Sequence, residues 1–414
     1  MRLSALVVSL ALGVLLIPAG PSLAGESKIL EYDAQGRVKG IKRVETKDGR
    51  QDYGFRKFDP ENSFEEGELI VINPPRNFLG TIRLMGFSLM ERVRLTELNL
   101  EVQRLRIPAG MNVPRARTLL RGRFPGLSID ANHVFDPSAG VSEKSVARNA
   151  IGWRKATPNC GAGVKLGMVD AGVDLEHPAL KGQKIVFRSF HKKGRKPGPN
   201  VHGTAVAAML VGKPEWGGLL PGAELMAANM FEINESGRKV GNAVAFLKAI
   251  NWMAKEKVHV VNLSVAGADN KVLRRVFKSA QKKGLVMVAA AGNWGRGSKP
   301  AYPAAYKDVV AVTAFGREKL VYARANRGSY IDFAAPGVRI YTAVPGGGGR
   351  FQSGTSFATP YLSALIGLEV AHRGKKKSSV LRRIFRKNTT DMGAPGKDKV
   401  FGWGFVNLQP RCPG

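Results

Sequence analysis

Residues 164–172 read Val164-Lys165-Leu166-Gly167-Met168-Val169-Asp170-Ala171-Gly172, a short apolar run that ends in a carboxylate, a small residue and a glycine. Such a run predicts a buried strand, and the residues after it predict a tight turn at the strand's carboxyl end. Similar runs recur at 225–230, 258–263, 285–291 and 309–313, with helical patterning over 242–257 and 271–283 between them. Regular alternation of this kind predicts an α/β fold, a parallel sheet flanked by helices on both faces. Ligands of such sheets bind outside the carboxyl ends of the strands, so the polar residues that follow strands are the candidates for chemistry.

Upstream the texture differs. A strand-like 69–72, a mixed stretch 84–93 in the place of a helix, an alternating 98–107, a helix-like 113–123 and a strand-like 127–135 predict a small α+β domain over 67–136. Asp136-Pro137-Ser138-Ala139-Gly140 reads as a break that opens a linker over 137–150, with the main domain at 151–414. Residues 25–66 are polar, with little periodicity, and are expected to form a loosely ordered extension. In 1–24, Arg2 precedes an apolar run to Ile17, then Pro18 and Ser22-Leu23-Ala24, the layout of an export signal cut after Ala24. A retained anchor would need about 20 apolar residues, more than this run has. The expected location is therefore secreted or periplasmic. Cys160 and Cys412 would then enter an oxidising compartment, where a disulfide between them and two buried thiols are both open readings.

The 414 residues carry 64 Lys and Arg against 32 Asp and Glu, a net charge of +32. Residues 1–150 hold 22 basic and 17 acidic side chains, and 151–414 hold 42 and 15, so the surplus belongs to the main domain. With 44% hydrophobic residues, wholesale disorder is excluded. Two tracts concentrate the charge: His191-Lys192-Lys193-Gly194-Arg195-Lys196 and residues 372–387, where Val380, Leu381, Ile384 and Phe385 share one helical face. These are either solvated faces of packed elements or contacts for an anionic surface or acidic substrates. Zinc-finger spacing, an RNP motif and a basic zipper are absent, so no specific nucleic-acid partner is expected. The glycines of 346–349 lack the Gly-Lys-Ser/Thr of a phosphate loop and read as a flexible approach to Ser356.

Four positions carry chemistry. Asp170 ends a strand, where backbone donors can hold a carboxylate as an orienting acid. His202 opens the helix-like His202-Gly203-Thr204-Ala205, and Gly203 permits close approach of another backbone. Asn293 follows the buried strand and Gly292, where its amide can donate to an oxyanion. Ser356 lies in Gly354-Thr355-Ser356-Phe357-Ala358-Thr359-Pro360, at a helix start whose N-terminus favours developing negative charge. Each alone has an ordinary reading as a turn residue, a core histidine or an N-cap. The histidines show no HxxH or HExxH spacing, so neither a metal nor another cofactor is expected.

Together, in the order Asp, His, Asn, Ser, these motifs resemble the subtilisin-like serine peptidases over about residues 150–408, and Phe401-Gly402-Trp403-Gly404-Phe405-Val406-Asn407 resembles that family's last turn. Less specifically, 65–140, ending in Asp130-Ala131-Asn132-His133-Val134-Phe135, resembles its inhibitory propeptide. The resemblance implies a secreted serine endopeptidase made as a self-processing zymogen, with Ser356 as nucleophile, His202 as base and Asp170 orienting the imidazole. Asn293 and the Ser356 backbone N–H would form the oxyanion hole. Ser264, Val265, Ala266 and Gly267 would pair with an extended substrate, and Ala290, Ala291, Gly292 and Ala301 would line the cleft. The implied partners are polypeptide substrates and the chain's own propeptide, with the enzyme a monomer. The rival is an inactive basic binding or scaffold protein on a peptidase fold.

The sequence departs from the family in places. Ala205 replaces a second histidine common among relatives, and His177-Pro178-Ala179-Leu180 lacks a carboxylate that often binds calcium. Residues 202–221 also look too short for the calcium loop, and calcium needs 6 to 8 oxygen ligands, so that site is expected to be missing. Phe357 stands in place of an oxidation-sensitive methionine. Trp294 and the lack of a nearby carboxylate point to small or apolar side chains before the scissile bond.

Overall fold

The computed structural model describes residues 27–32, 38–44, 64–137, 140–141, 156–235, 237–316, 319–408 and 412, with only the backbone described for 27–44, 136–137 and 140–141. The expected export signal at 1–24 and most of the expected linker therefore lie outside the described residues. Two compact units are present, Met1–Lys57 and Phe58–Gly414. In the first, β1 (Ser27–Tyr32) and β2 (Val38–Val44) form an antiparallel pair. Regular structure was not expected there. Asp33-Ala34-Gln35-Gly36-Arg37, rich in turn residues, separates two β-compatible runs too short to show a clear period.

The second unit opens with β3 (Phe64–Ile72), α1 (Phe78–Leu84), β4 (Ser88–Leu95), β5 (Leu100–Arg106), α2 (Val113–Arg123) and β6 (Ser128–Pro137). Its antiparallel sheet runs β4-β5-β3-β6, a split β-α-β arrangement. The mixed stretch 84–93 is not a helix: the helix lies earlier, and Gly86, at φ +81°, turns the chain into β4. One sheet face packs on α1 and α2 through Leu69, Val71, Leu105 and Ile129. The other presents Ile70, Ile72, Val93 and Val102 to the larger body.

After β7 (Gly140–Val141) that body is built from β8 (Lys165–Asp170), β9 (Ile185–Ser189), β10 (Lys196–Pro197), α3 (Val201–Val211), β11 (Glu224–Asn229), β12 (Phe231–Ile233), β13 (Lys239–Asn242) and α4 (Ala243–Lys255). It continues through β14 (Val260–Leu263), β15 (Val265–Ala266), α5 (Lys271–Lys282), β16 (Val286–Ala290), β17 (Val310–Phe315), β18 (Phe333–Pro336), β19 (Ile340–Val344) and β20 (Gly348–Ser353). Last come α6 (Thr355–Arg373), α7 (Ser378–Arg386), β21 (Thr389–Thr390) and β22 (Phe405–Val406).

The main sheet runs β21-β22-β18-β17-β16-β14-β8-β11-β9 and is parallel except at β21. Its period of two sorts side chains by face. Leu166, Met168, Val260, Val286 and Val288 meet α3 and α6 on one side, while Met226, Ala228, Val261, Met287 and Ala289 meet α4 and α5 on the other. Both faces are covered, which is why these strands read as continuous apolar runs. The glycines of 346–349 do not form a loose approach. They turn and begin a β19–β20 hairpin, with Gly346 and Gly347 at φ +90° and +91°.

Candidate active site

Asp170 closes β8 and is fully buried. Its Oδ1 accepts the Ala171 N–H at 2.6 Å and lies 2.6 Å from His202 Nδ1. His202 is the second residue of α3, and that helix can approach only because residue 203 is glycine. A Cβ there would stand 2.3 Å from the Gly172 carbonyl oxygen and 2.5 Å from that of Ala171. Asp170 Oδ2 and His202 Nε2 are buried with no hydrogen-bond partner among the described residues. A buried imidazole with one nitrogen held by a carboxylate and the other without a partner is arranged to exchange a proton with an incoming group.

Ser356 is the second residue of the 19-residue α6, preceded by Gly354 at φ +153°. Pro360 has no N–H to return to the Ser356 carbonyl, four residues back. Ser264 Oγ fills that gap, donating to the carbonyl at 3.1 Å. Behind it, Asn262 Nδ2 donates to Ser264 Oγ at 2.9 Å, and Ser363 Oγ donates to Asn262 Oδ1 at 2.9 Å. The first turn of α6 is thus tied to β14. Sequence reasoning missed this line of buried polar groups, although Pro360 signalled a missing backbone bond.

Asn293 sits in the turn after β16. Its Oδ1 accepts from the Thr355 N–H at 3.0 Å and from Thr355 Oγ1 at 2.9 Å, while Thr355 Oγ1 accepts the Gly292 N–H at 3.2 Å. The oxygen end of the amide is thus fixed to the residue before Ser356. Ala290 ends β16, Ala291 and Gly292 lead into this turn, and Ala301 packs against it, since a Cβ on Gly292 would lie 2.7 Å from that of Ala301.

Ser264 precedes β15, and Gly267 bonds both ways with Tyr302, at 2.7 and 3.0 Å. The far end of β6 pairs antiparallel with β15 (Val265↔Pro137, Ala266↔Asp136), and on its other edge with β13. Shortly afterwards β7 pairs with β20 (Gln352↔Val141, Ser353↔Gly140), three residues before Ser356. The stretch read as the start of a free linker is therefore held as strand on both sides of the cleft, because its backbone completes edges left open by β15 and β20. Phe135 packs where Gly267 has no side chain, as a Cβ there would meet its ring at 2.4 Å, and it stacks edge-on with Phe246.

Cys160 and Cys412 are disulfide-bonded, tying the start of the larger body to its end. His177 is buried between the Gly348 carbonyl and the Ala179 N–H. Among the described residues, no group of three or more His, Cys, Asp or Glu side chains could hold a metal ion.

A family model described as the subtilase family matches residues 161–404, more than half of the chain. The chain belongs to the subtilase family. This subtilase is 32% identical over 259 residues to "Minor extracellular protease Epr" of Bacillus subtilis (strain 168), a match covering 61% of the chain and 39% of that protein. It is 34% identical over 237 residues to thermitase of Thermoactinomyces vulgaris, covering 56% of the chain and 82% of thermitase. The fold is similar to that of fervidolysin from Fervidobacterium pennivorans, a structure described as a keratinolytic enzyme related to subtilisin. The TM-score is 0.69 at 21% identity, with 84% of this chain and 60% of that one covered. The subtilase thus spans well under two thirds of the Bacillus protein's length.

Proposed function

We propose that the protein is an exported serine endopeptidase that removes its own small domain. The observation that carries the reading is that Asp170 holds His202 at 2.6 Å, the His202 ring lies 5.6 Å from that of Phe357, and Asn293 binds Thr355, so these groups flank Ser356 at the start of α6, with strand-forming backbone on either side. Ser356 Oγ attacks the peptide carbonyl carbon and its proton passes to His202 Nε2, while Asp170 stabilises the imidazolium. The tetrahedral oxyanion takes hydrogen bonds from Asn293 Nδ2 and the Ser356 N–H at the start of α6. Collapse breaks the C–N bond, and the amine leaves with the proton held by His202. Water then attacks the acyl-enzyme by the same route, giving its proton to His202, which returns it to Ser356 Oγ.

Residues 67–136 act as an intramolecular cover, and the cut falls between Pro137 and Gly140, where the chain passes from β15 to β20. Pairing with β15 suits any extended peptide, so specificity comes from side-chain pockets. Phe135 beside Gly267 and Phe246 favours an aromatic or large apolar residue upstream of the bond, while Ala301 and Gly292 favour a small or apolar one next to it. The Cys160–Cys412 disulfide, the 1–24 layout and the extracellular relative support export to an oxidising compartment. Reaction with a fluorophosphonate probe tests the activity. A modified Ser356 in the wild-type protein is expected, and a protein that does not label is the inactive scaffold instead.

A further inference from the structure

The small domain covers more than the cleft. On the α4 and β9 side, two adjoining grooves of about 480 and 300 Å³ run between it and the larger body. Their walls on the larger body combine aromatic rings with cations. Arg188 lies over Trp252 at 5.2 Å, Phe190 packs on Trp252 at 5.7 Å, and Lys192 and Lys248 flank them. The small domain answers with carboxylates: Glu68 pairs with Lys192 at 3.3 Å, Glu65 with Arg195 at 3.1 Å, and Glu91 with Lys248. Arg195 also pairs with Glu232 of the larger body, at 2.6 Å, whereas the carboxylates paired with the Lys192 and Lys248 side chains belong to the small domain.

We propose that this vacated surface, centred on Arg188, Phe190, Lys192, Lys248 and Trp252, is a docking site for acidic segments of polypeptide substrates lying N-terminal to the bond that is cut. The inference rests on the peptidase reading and on removal of the small domain. Its partner chemistry is read from the carboxylates that occupy the surface now, and its direction from the chain itself. Glu65, Glu68 and Glu91 all precede the cleft segment at Asp136–Val141 in sequence, so a substrate that follows the same path places its acidic residues upstream. The site gives the first basic tract a role that a solvated face does not explain. It also raises encounter rates, because cations beside low-dielectric aromatic walls focus the field on an approaching anionic chain.

The test uses the protein as secreted and three peptides sharing one cleavable core. One carries a Glu-rich segment joined upstream by a Gly-Ser linker, one carries it downstream, and one carries a neutral upstream segment. The upstream acidic peptide is expected to show a kcat/KM about tenfold or more above the neutral one, as a weak second contact gains from effective concentration. The downstream peptide is expected to match the neutral one. In Lys192→Gln/Lys248→Gln the advantage is expected to vanish while the neutral peptide is cut as before. Raising ionic strength on the wild type is expected to do the same, a check that needs no variant to fold. Equal cleavage of all three peptides, or an advantage that survives both salt and the variant, overturns the docking site alone. Failure to cut any of them overturns the peptidase reading, and the docking site with it.

Discussion

The two faces of the main sheet are finished differently. On the α3 and α6 side the core is closed by the chain's own helices, by α7 and by the Cys160–Cys412 bond. On the α4 and α5 side the outer layer is the small domain, whose Ile70, Ile72, Val93 and Phe135 join the same core. Around that apolar seat lies a rim of polar contacts. Asn270 Nδ2 donates to the Ala131 carbonyl at 2.9 Å, the Lys271 N–H donates to Asp130 Oδ2 at 2.8 Å, and three carboxylates meet Lys192, Arg195 and Lys248. The first face holds both His202 and Ser356. The second adds to its apolar seat a rim of ionic and titratable contacts, which weaken with salt and pH where apolar burial does not, as the proposed release of the small domain requires.

The difference is broken most severely at the catalytic face. Asp170→Asn is expected to lower kcat by about 10⁴, as the imidazole loses the carboxylate that sets its tautomer, with little change in the affinity of the small domain. A comparable loss of small-domain binding would blur the distinction. Asn293→Ala is expected to cost about 10²–10³ in kcat at nearly constant KM, the usual effect of one missing oxyanion donor. A rise in KM alone would make Asn293 a binding residue instead.

Two gentler experiments separate the faces by stability. Replacing Cys160 and Cys412 together by Ser is expected to lower Tm by roughly 5–15 °C without loosening the small domain. Acid is expected to do the reverse. Burial lowers the His133 pKa from its ordinary value, while Asp130 and Asp269 raise it and Arg117 and Arg121 lower it further; the ring also accepts contact from Asn270 and meets Phe64 edge-on. For Glu68 burial acts upward, yet Arg104, the Asn132 hydrogen bond and Lys192 outweigh it and hold the carboxyl below its usual value. A depressed histidine contributes stability above its unfolded pKa, near 6.5, and loses it as pH falls through the lowered value; the depressed carboxylate follows the same sign further down. The released small domain is therefore expected to bind several-fold more weakly at pH 5.5 than at pH 8 in an inhibition titration, with the step absent in His133→Gln. Identical inhibition at both pH values would remove His133 from the account.

Much of this was legible in the sequence because a strand buried on both faces must be apolar throughout. The runs at 164–169 and 285–291 fall on β8 and β16, and the polar residues read just beyond them lie where expected, Asp170 at the end of β8 and Asn293 in the turn after β16. The helix-like 113–123 coincides with α2, where Asn112 caps Arg115 and Pro114 opens the first turn. What stayed hidden depends on partners remote in sequence. The basic tract at 191–196 says nothing by itself of Glu65, Glu68 or Glu91, and Asp136–Gly140 reads as a break until β15 offers an edge to 136–137 and β20 one to 140–141. The second tract shows the opposite outcome: Leu381 and Phe385 are buried, Arg382 bonds the Val309 and Lys307 carbonyls and Asp332, and Arg386 covers Trp403 at 3.6 Å. A basic tract thus serves packing in one place and contact with the small domain in the other.

The central claim is that Ser356 cuts the chain where it crosses between β15 and β20. Intact mass and N-terminal sequencing of the secreted wild type and of Ser356→Ala test it directly. The wild type is expected to begin within 138–140 and the variant to retain the small domain; a variant recovered at the processed size of the wild type would contradict the account.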